Sequence, residues 1–358
     1  MIQQRLQRLR EALDARKLDA IVISQPENRR YLSGFSGSAG VLVISKKRAL
    51  LITDFRYFEQ VKHQAPAFDL VEITNSTRDA LAEQIAALGV QRLGFESHVV
   101  SVETFEQWKQ VVHGVEWVAT SDIVEDLRQV KDTSEIETIT EAVRIADDAM
   151  AHIMEWIRPG MTEREIAWEL EVTMRTHGAE ALSFTTIVAS GPNGAMPHAV
   201  TSDRVVQVGD PVVIDMGAVY QGYCSDLTRS FCVGQASVDY LTVWNVVLKA
   251  QLAAEAQIKA GMSGVEADSI ARDIIYAAGY EGKFGHGLGH GVGLAIHEQP
   301  RASQMFPGAL PAGSILTIEP GIYLPDWGGV RIEDMAVVWE GGCQVLTQVP
   351  KVPVIPGK

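Results

Sequence analysis

The sequence predicts a two-domain α/β chain: a small N-terminal α/β domain, then a larger C-terminal α+β domain built from two related halves. Three observations predict it. The chain has 358 residues, more than one ordinary core encloses. Its first third alternates helical and strand periodicity. Its remainder repeats itself at a nearly fixed offset.

Taken in order, residues 4–15 carry apolar positions at helical spacing, and Ala20-Ile21-Val22-Ile23 is a β-rich run. Residues 40–45 and 49–53 read as a hairpin across Lys46-Lys47-Arg48. A helix over 78–88, a strand over 92–95 and a helix over 103–112 complete the first domain. No Pro/Gly/Ser linker marks its end. The domains are placed at 1–123 and 124–358, ahead of a long helix starting near Ser134.

The repeat begins in that second domain. Ile157-Arg158-Pro159-Gly160-Met161-Thr162 returns as Ile258-Lys259-Ala260-Gly261-Met262-Ser263, and at the same offset Glu165 matches Glu266 and Gly178 matches Gly279. Each block reads as helix, Gly-Met turn, Thr or Ser N-cap, second helix and glycine stop. Each is followed by a strand and turn, 209–217 and 313–321, which place Asp215 on Glu319. Two related halves, helices outside and one sheet between, should each offer an acid from the same place in a hairpin.

Composition excludes several classes. Apolar residues at 46% and charged residues at 21% rule out disorder. Thirty-one basic against forty-five acidic residues give a net charge of −14, the wrong sign for a nucleic-acid partner. Cys224, Cys232 and Cys343 make no CxxC pair and no disulfide framework, and read as reduced thiols. No apolar run reaches the roughly 18 residues of a membrane span, and the opening Met1-Ile2-Gln3-Gln4-Arg5 is unlike a signal peptide. The expectation is a soluble cytoplasmic protein with neither nucleic acid nor membrane as partner.

The acids carry the chemistry. Asp215 ends the aliphatic run Val212-Val213-Ile214, and Asp226 lies in the following segment. A turn centred on Tyr220-Gln221 would oppose them directly, with Cβ atoms about 4.5–5.5 Å apart. Glu319 follows Ile315-Leu316-Thr317-Ile318, and Glu333 mirrors it about Asp326 in a loop over 323–329. Like charges opposed on a buried face are destabilising, so two such pairs call for a cation.

Histidines supply a further ligand type. In Phe284-Gly285-His286-Gly287-Leu288-Gly289-His290-Gly291-Val292-Gly293, alternate glycines forbid a helix, each costing about 1 kcal/mol against alanine. An extended or looped strand with both histidines on one side is expected, glycines permitting close backbone approach. His297 follows, and His198 precedes the first acidic hairpin. His63, His98, His113, His152 and His177 read as structural.

The ordered set of Asp215, Asp226, the Gly-His-Gly-Leu-Gly-His290 stretch, Thr317-Ile318-Glu319-Pro320-Gly321 and Val330-Arg331-Ile332-Glu333-Asp334 resembles metallopeptidase family M24, with its pita-bread fold. Within it the match is to the proline-specific branch, prolidase (Xaa-Pro dipeptidase) and aminopeptidase P. The segments Gln25-Pro26-Glu27-Asn28-Arg29-Arg30-Tyr31-Leu32-Ser33-Gly34-Phe35 and Thr53-Asp54-Phe55-Arg56-Tyr57 are similar to signatures of that branch's creatinase/prolidase-like N-terminal domain, so the resemblance covers nearly the whole chain.

The resemblance implies two divalent metal ions. Asp215 would hold one, His290 and Glu319 the other, with Asp226 and Glu333 bridging. Glu319 would be general base, His198 and His297 would contact substrate and steady the tetrahedral intermediate, and Arg331 would orient the ligands. His286 would lie just outside the set. Four carboxylates and one imidazole favour Mn²⁺ or Co²⁺, with Zn²⁺ a further option, and four negative charges balance two such ions. The implied activity is hydrolysis of the Xaa-Pro bond at the N-terminus of small proline-containing peptides, dipeptidase favoured over aminopeptidase P. Another pita-bread hydrolase, such as a creatinase or methionine aminopeptidase, or a non-catalytic pita-bread binding protein, would lack part of the ligand set or the N-terminal domain. A homodimer is implied, with a loop over 28–35 near the partner's active-site mouth.

Overall fold

The computed structural model describes residues 1–357. The chain divides into two compact units, one ending at Arg128 and the other beginning at Gln129.

The first unit contains α1 (Ile2–Ala15), β1 (Ala20–Ile23), α2 (Pro26–Ser33), β2 (Val41–Ser45), β3 (Ala49–Thr53), α3 (Phe58–Gln64), β4 (Asp69–Glu72), α4 (Thr77–Leu88), β5 (Arg92–Glu96), α5 (Val102–Val111), β6 (Glu116–Thr120) and α6 (Ile123–Arg128). The strands form one sheet in the order β4-β3-β2-β1-β5-β6. Only β2 runs against its neighbours. Strands β1, β2 and β3 are buried along their whole lengths, which is why their sequences are continuous aliphatic runs rather than alternating ones. Helix α1 buries Leu6, Leu9 and Leu13, the stripe its periodicity predicts.

The segment expected as a loop over 28–35 is instead α2. Pro26 occupies its first turn, where the missing N–H costs nothing, and Gly34 ends it at φ 81°. Helix α6 begins at the expected boundary of 123 and belongs to this unit. Ile123 and Val124 are buried, and Arg128 donates to the buried Asn28 Oδ1 at 2.7 Å.

The second unit opens with α7 (Thr133–Trp156), α8 (Glu163–Thr176), β7 (Ala181–Leu182), β8 (Ile187–Ser190), β9 (Pro211–Met216), β10 (Ala218–Tyr220), β11 (Tyr223–Cys224) and β12 (Leu227–Val233). A second set follows: α9 (Val238–Gln257), α10 (Gly264–Ala277), β13 (Gly289–Gly291), β14 (Glu298–Ala302), β15 (Ile315–Ile318), β16 (Gly321–Leu324), β17 (Gly328–Arg331), β18 (Asp334–Trp339), β19 (Gly342–Val345) and β20 (Val354–Ile355).

The repeat read from sequence is repeated in hydrogen bonds. Thr162 and Ser263 each close a capping box with Glu165 and Glu266, satisfying two otherwise orphaned N–H groups per helix. Each cap also makes an isolated antiparallel bridge, Thr162 to Val205 and Ser263 to Ala309. The preceding glycine amides donate alike, Gly160 to Val206 O and Gly261 to Leu310 O, both at 2.9 Å. Each half has its own core. Ile145, Met150, Val212, Ile214 and Phe231 pack in one, and Val243, Val247, Leu316, Ile318 and Val338 in the other. Full burial of each such side chain is worth about 1.5–3 kcal/mol. The acidic hairpins are therefore held by aliphatic strands locked from behind.

Candidate metal centre and substrate cavity

In the first hairpin, Tyr220 pairs with Tyr223. Gln221 and Gly222, with φ of 45° and 76°, form a two-residue turn of the kind that matches strand twist. That centre lies one residue beyond the expected one and corrects the register. Asp215 faces Thr228, and Asp226 lies outside the paired strands, so the two aspartates are not directly opposed. The hairpin pinches at Gly217, where a Cβ would sit 2.0 Å from Ser225 O. Asp226 is then fixed through its N–H, which donates to Met335 Sδ at 3.0 Å.

The second hairpin keeps its expected symmetry. Ile318 pairs with Asp334 and Gly321 with Arg331, leaving Glu319 and Glu333 facing each other across the gap. Its strands run further than the expected loop allowed, to Leu324 and Gly328, and Asp326 at φ 64° lies in the tight turn between them. Arg229, buried beside Thr228, donates to Glu333 O at 2.6 Å and to Asp334 Oδ1 at 2.7 Å, pinning one hairpin to the other.

Oxygens of Asp215, Asp226 and Glu333 lie within 4.8 Å of one another. His290 completes the group from β13. Gly289 lets that strand approach, since a Cβ there would meet Thr317 O at 1.8 Å. His290 Nδ1 donates to Gly291 O at 3.0 Å, which leaves the Nε2 lone pair facing Asp226 Oδ2 at 3.6 Å and Glu319 Oε1 at 3.4 Å. Two threonines orient the glutamates: Thr228 Oγ1 donates to Glu333 at 2.6 Å and Thr317 Oγ1 to Glu319 at 3.1 Å.

Arg331 spans the back of the site. It reaches Asp215 Oδ2 at 2.5 Å, Tyr323 Oη at 2.9 Å and Thr228 Oγ1 at 3.1 Å. His286 has both ring nitrogens engaged, by Gly287 O at 2.8 Å and Tyr323 Oη at 2.9 Å. That leaves it beside the acids rather than among them. The His297 and His290 ring centres are 4.4 Å apart.

Burial, with Glu333, Asp215 and Glu319 close by, pushes the Asp226 carboxyl well above the usual range. Burial, with Glu319 and Asp215, does the same to Glu333. Glu319 is pushed up to about 7, by burial first. Burial also pulls His290 down to about 3 and His286 to about 4, so both imidazoles are neutral at neutral pH. Asp215 Oδ1 is buried without a hydrogen-bond partner among the described residues. Buried acids of one sign, a neutral imidazole and an orphaned carboxylate oxygen fit divalent cations held by oxygen-rich ligands.

All eight residues singled out from sequence, Asp215, Asp226, His290, Glu319, Glu333, His198, His297 and Arg331, line one cavity of about 970 Å³, together with His286. Three residues of the site carry no sequence signal. Trp168 walls the cavity from α8. Tyr323 links His286 to Arg331. Arg301 lines the cavity with its guanidinium free of ion pairs among the described residues, and its charge helps to depress His297, after burial.

Residues 137–340 match Metallopeptidase family M24, and residues 5–130 match the Creatinase/Prolidase N-terminal domain. The Xaa-Pro dipeptidase of Pyrococcus furiosus is 39% identical over 352 residues, which is 98% of this chain and 99% of that protein. Among solved structures, the Xaa-Pro dipeptidase from Bacillus anthracis superposes with a TM-score of 0.97 at 45% identity, covering 99% of this chain and 100% of that one. The X-Pro aminopeptidase from Thermotoga maritima MSB8 does so with a TM-score of 0.90 at 40% identity, covering 97% and 99%.

Proposed function

Because the chain belongs to metallopeptidase family M24, we propose that it is a two-metal peptidase that hydrolyses the Xaa-Pro bond of small proline-containing peptides, dipeptides first. The observation that carries this reading is the convergence of five candidate ligands, four carboxylates and one imidazole, on one cavity. Asp226 is shared between two groups there, Asp215 and Glu333 on one side, His290 and Glu319 on the other. We assign Asp215 to one ion, His290 and Glu319 to the other, and Asp226 and Glu333 to both. The donor set favours Mn²⁺ or Co²⁺, with Zn²⁺ as the next choice. Bound there, divalent ions would supply Lewis acidity toward a carbonyl oxygen and lower the pKa of water.

The protein's own groups do the rest. Glu319 takes the proton of the attacking water as general base. His198 and His297 hold the substrate and steady its developing oxyanion from the cavity wall. Arg331 keeps Asp215 aimed by its short charge-assisted bond. Arg301 is the cation free to meet a terminal carboxylate, as a dipeptidase requires. A homodimer is part of the proposal on the family's precedent. Among the described residues, no helix is long and apolar enough to cross a membrane.

Turnover of Ala-Pro, Ala-Pro-Ala and Ala-Ala by one metal-loaded preparation tests the reading. Loss of the proline ring should cost on the order of 1–3 kcal/mol in transition-state binding, roughly 5- to 150-fold in kcat/KM. Ala-Pro should outrun Ala-Pro-Ala, and Arg301→Gln should erase that preference. His297→Ala should lower kcat/KM with metal content intact. Equal rates on Ala-Ala and Ala-Pro would remove proline specificity. The second reading, an aminopeptidase P, draws support from the Thermotoga maritima likeness and from a cavity near the upper end of small-molecule pockets. It predicts the reverse order for the two proline peptides.

A further inference from the structure

The His198 imidazole is exposed and makes no hydrogen bond among the described residues, so its aim depends on the backbone that carries it. That backbone is a loop over 191–201. It leaves the end of β8 through a short 3₁₀ turn, Gly191–Ala195, and returns alongside the same strand. Thr201 Oγ1 accepts from Val188 N–H at 2.9 Å and donates to Thr186 O at 3.0 Å, fastening the returning arm to β8. Beside His198, Arg331 Nη1 donates to Pro197 O at 3.2 Å.

Glu163 closes the base of this loop. It is the first residue of α8, fully buried, and has no ion-pair partner among the described residues. Where the loop departs, Oε1 accepts from Ser190 N–H at 2.7 Å and Ser190 Oγ at 2.8 Å. Where it returns, Oε2 accepts from Ser202 N–H at 3.0 Å and Ser202 Oγ at 2.6 Å. Asn193 Nδ2 lies between, 3.0 and 3.2 Å from the two oxygens. One side chain thus ties both ends of the His198 loop to each other and to a helix. A buried carboxylate without a cation is costly, and these donors together with the helix N-terminus offset the cost.

The internal repeat shows that the helix start itself does not need this carboxylate. Between the matching caps, Gly264 stands where Glu163 does. Both helices hold the chain before them by their first two amides. Glu163 N–H donates to Arg204 O at 3.0 Å and Arg164 N–H to Ser202 O at 3.1 Å. In the other half Gly264 N–H donates to Gly308 O at 3.0 Å and Val265 N–H to Phe306 O at 3.1 Å. That half manages with no side chain at all, and a Cβ at Gly264 would fall 2.1 Å from Arg301 O. The carboxylate is an addition of the half that carries His198.

We infer that Glu163 is a positioning residue for His198, clamping both ends of its loop so that the imidazole stays in the cavity wall. The inference rests on the role proposed for His198 above.

Glu163→Gln in the full-length, metal-loaded protein tests it. The amide keeps the size but turns an NH₂ group toward either Ser190 N–H or Ser202 N–H. Neither backbone donor can turn away, so one end of the loop is released. Peptides over 190–202 should exchange amide hydrogens faster, with metal content equal to the parent's. The kcat/KM for Ala-Pro should fall about 10- to 100-fold, the scale of a misplacement near 1 Å. The deciding measurement is the double variant. Glu163→Gln with His198→Ala should be no slower than His198→Ala alone, since a group that acts through His198 then has nothing to act on. If Glu163→Gln does not fold, Asn193→Ala at a half-buried position removes the donor shared by both oxygens and enters the same comparison. Unchanged exchange in the loop, loss of metal, or rate losses that multiply in the double variant would each overturn the inference. A parental rate in His198→Ala would overturn it together with the role of His198, whereas a slow His198→Ala beside a parental Glu163→Gln would remove the clamp alone.

Discussion

Glu319 and Asp226 are both buried carboxylates, but their neighbours separate their roles, and their isosteric amides read the difference. Glu319 faces His290 and is oriented by Thr317, whereas Asp226 is common to both groups of proposed ligands. Glu319→Gln is expected to lower kcat by about 10²–10⁴, the range of a general acid–base group, and to keep most of the metal. Asp226→Asn is expected to lose metal and activity together. Metal content by elemental analysis beside initial rates decides it; equal metal loss in the two variants would make Glu319 a ligand and nothing more. Asp215 and Glu319 were legible in the sequence because each ends an aliphatic run, which places a charge on a buried strand. Arg301 and Tyr323 were not. Neither belongs to a pattern of spacing, and each reaches the site only through contacts that the fold creates. Tyr323 matters through Arg331 and His286, and nothing local to it says so.

At the level of elements, the capping boxes make the strongest claim of the repeat. Thr162→Ala and Ser263→Ala should each cost about 1 kcal/mol in urea unfolding, the usual loss for an N-cap oxygen. The double variant should show their sum, because distant sites act independently. A markedly larger loss at one site would mean that its bridge to Val205 or Ala309 carries more than the cap. The two hairpins show how far pattern reading extends. The second was legible because its turn is symmetric about Asp326. The first was misread by one residue, and a glycine decided it. Gly222 at φ 76° pulls the turn centre to Gln221-Gly222, which moves Asp226 out of pairing with Asp215. The same reading missed α2, whose Pro26 and Gly34 are start and stop signals of a helix. Helices α1, α4 and α5 and strands β1, β2, β3 and β5 were legible to within a residue or two, because buried strands and striped helices leave strong local signals. By contrast α3, β4, β6 and α6 were not read, and β4 and β6, with no fully buried residue, lack the apolar run that marks a strand.

For the whole molecule, metal and pH should act on stability in opposite directions. In protein stripped of metal, Asp226 and Glu333 sit well above their ordinary range and Glu319 rises to about 7, burial being the first cause in each. The folded state then keeps protons that the unfolded chain releases above about pH 4. Stability is full below that pH and falls as pH rises through the folded values. Divalent ions bind the deprotonated acids, so loading reverses the trend. The Tm difference between loaded and chelated protein should widen from about pH 5 to about pH 7, as differential scanning calorimetry would record. A constant difference would falsify the assignment of these acids as the ligand set. The proposed ligands also come from both halves of the second unit: Asp215 and Asp226 precede the turn at 234–237, while His290, Glu319 and Glu333 follow it. Opened at that turn, the protein becomes two complementary pieces, neither of which owns a complete site. Their reassembly would then be governed by the concentration of divalent ion, and the severed chain would report on it as a reconstituting sensor.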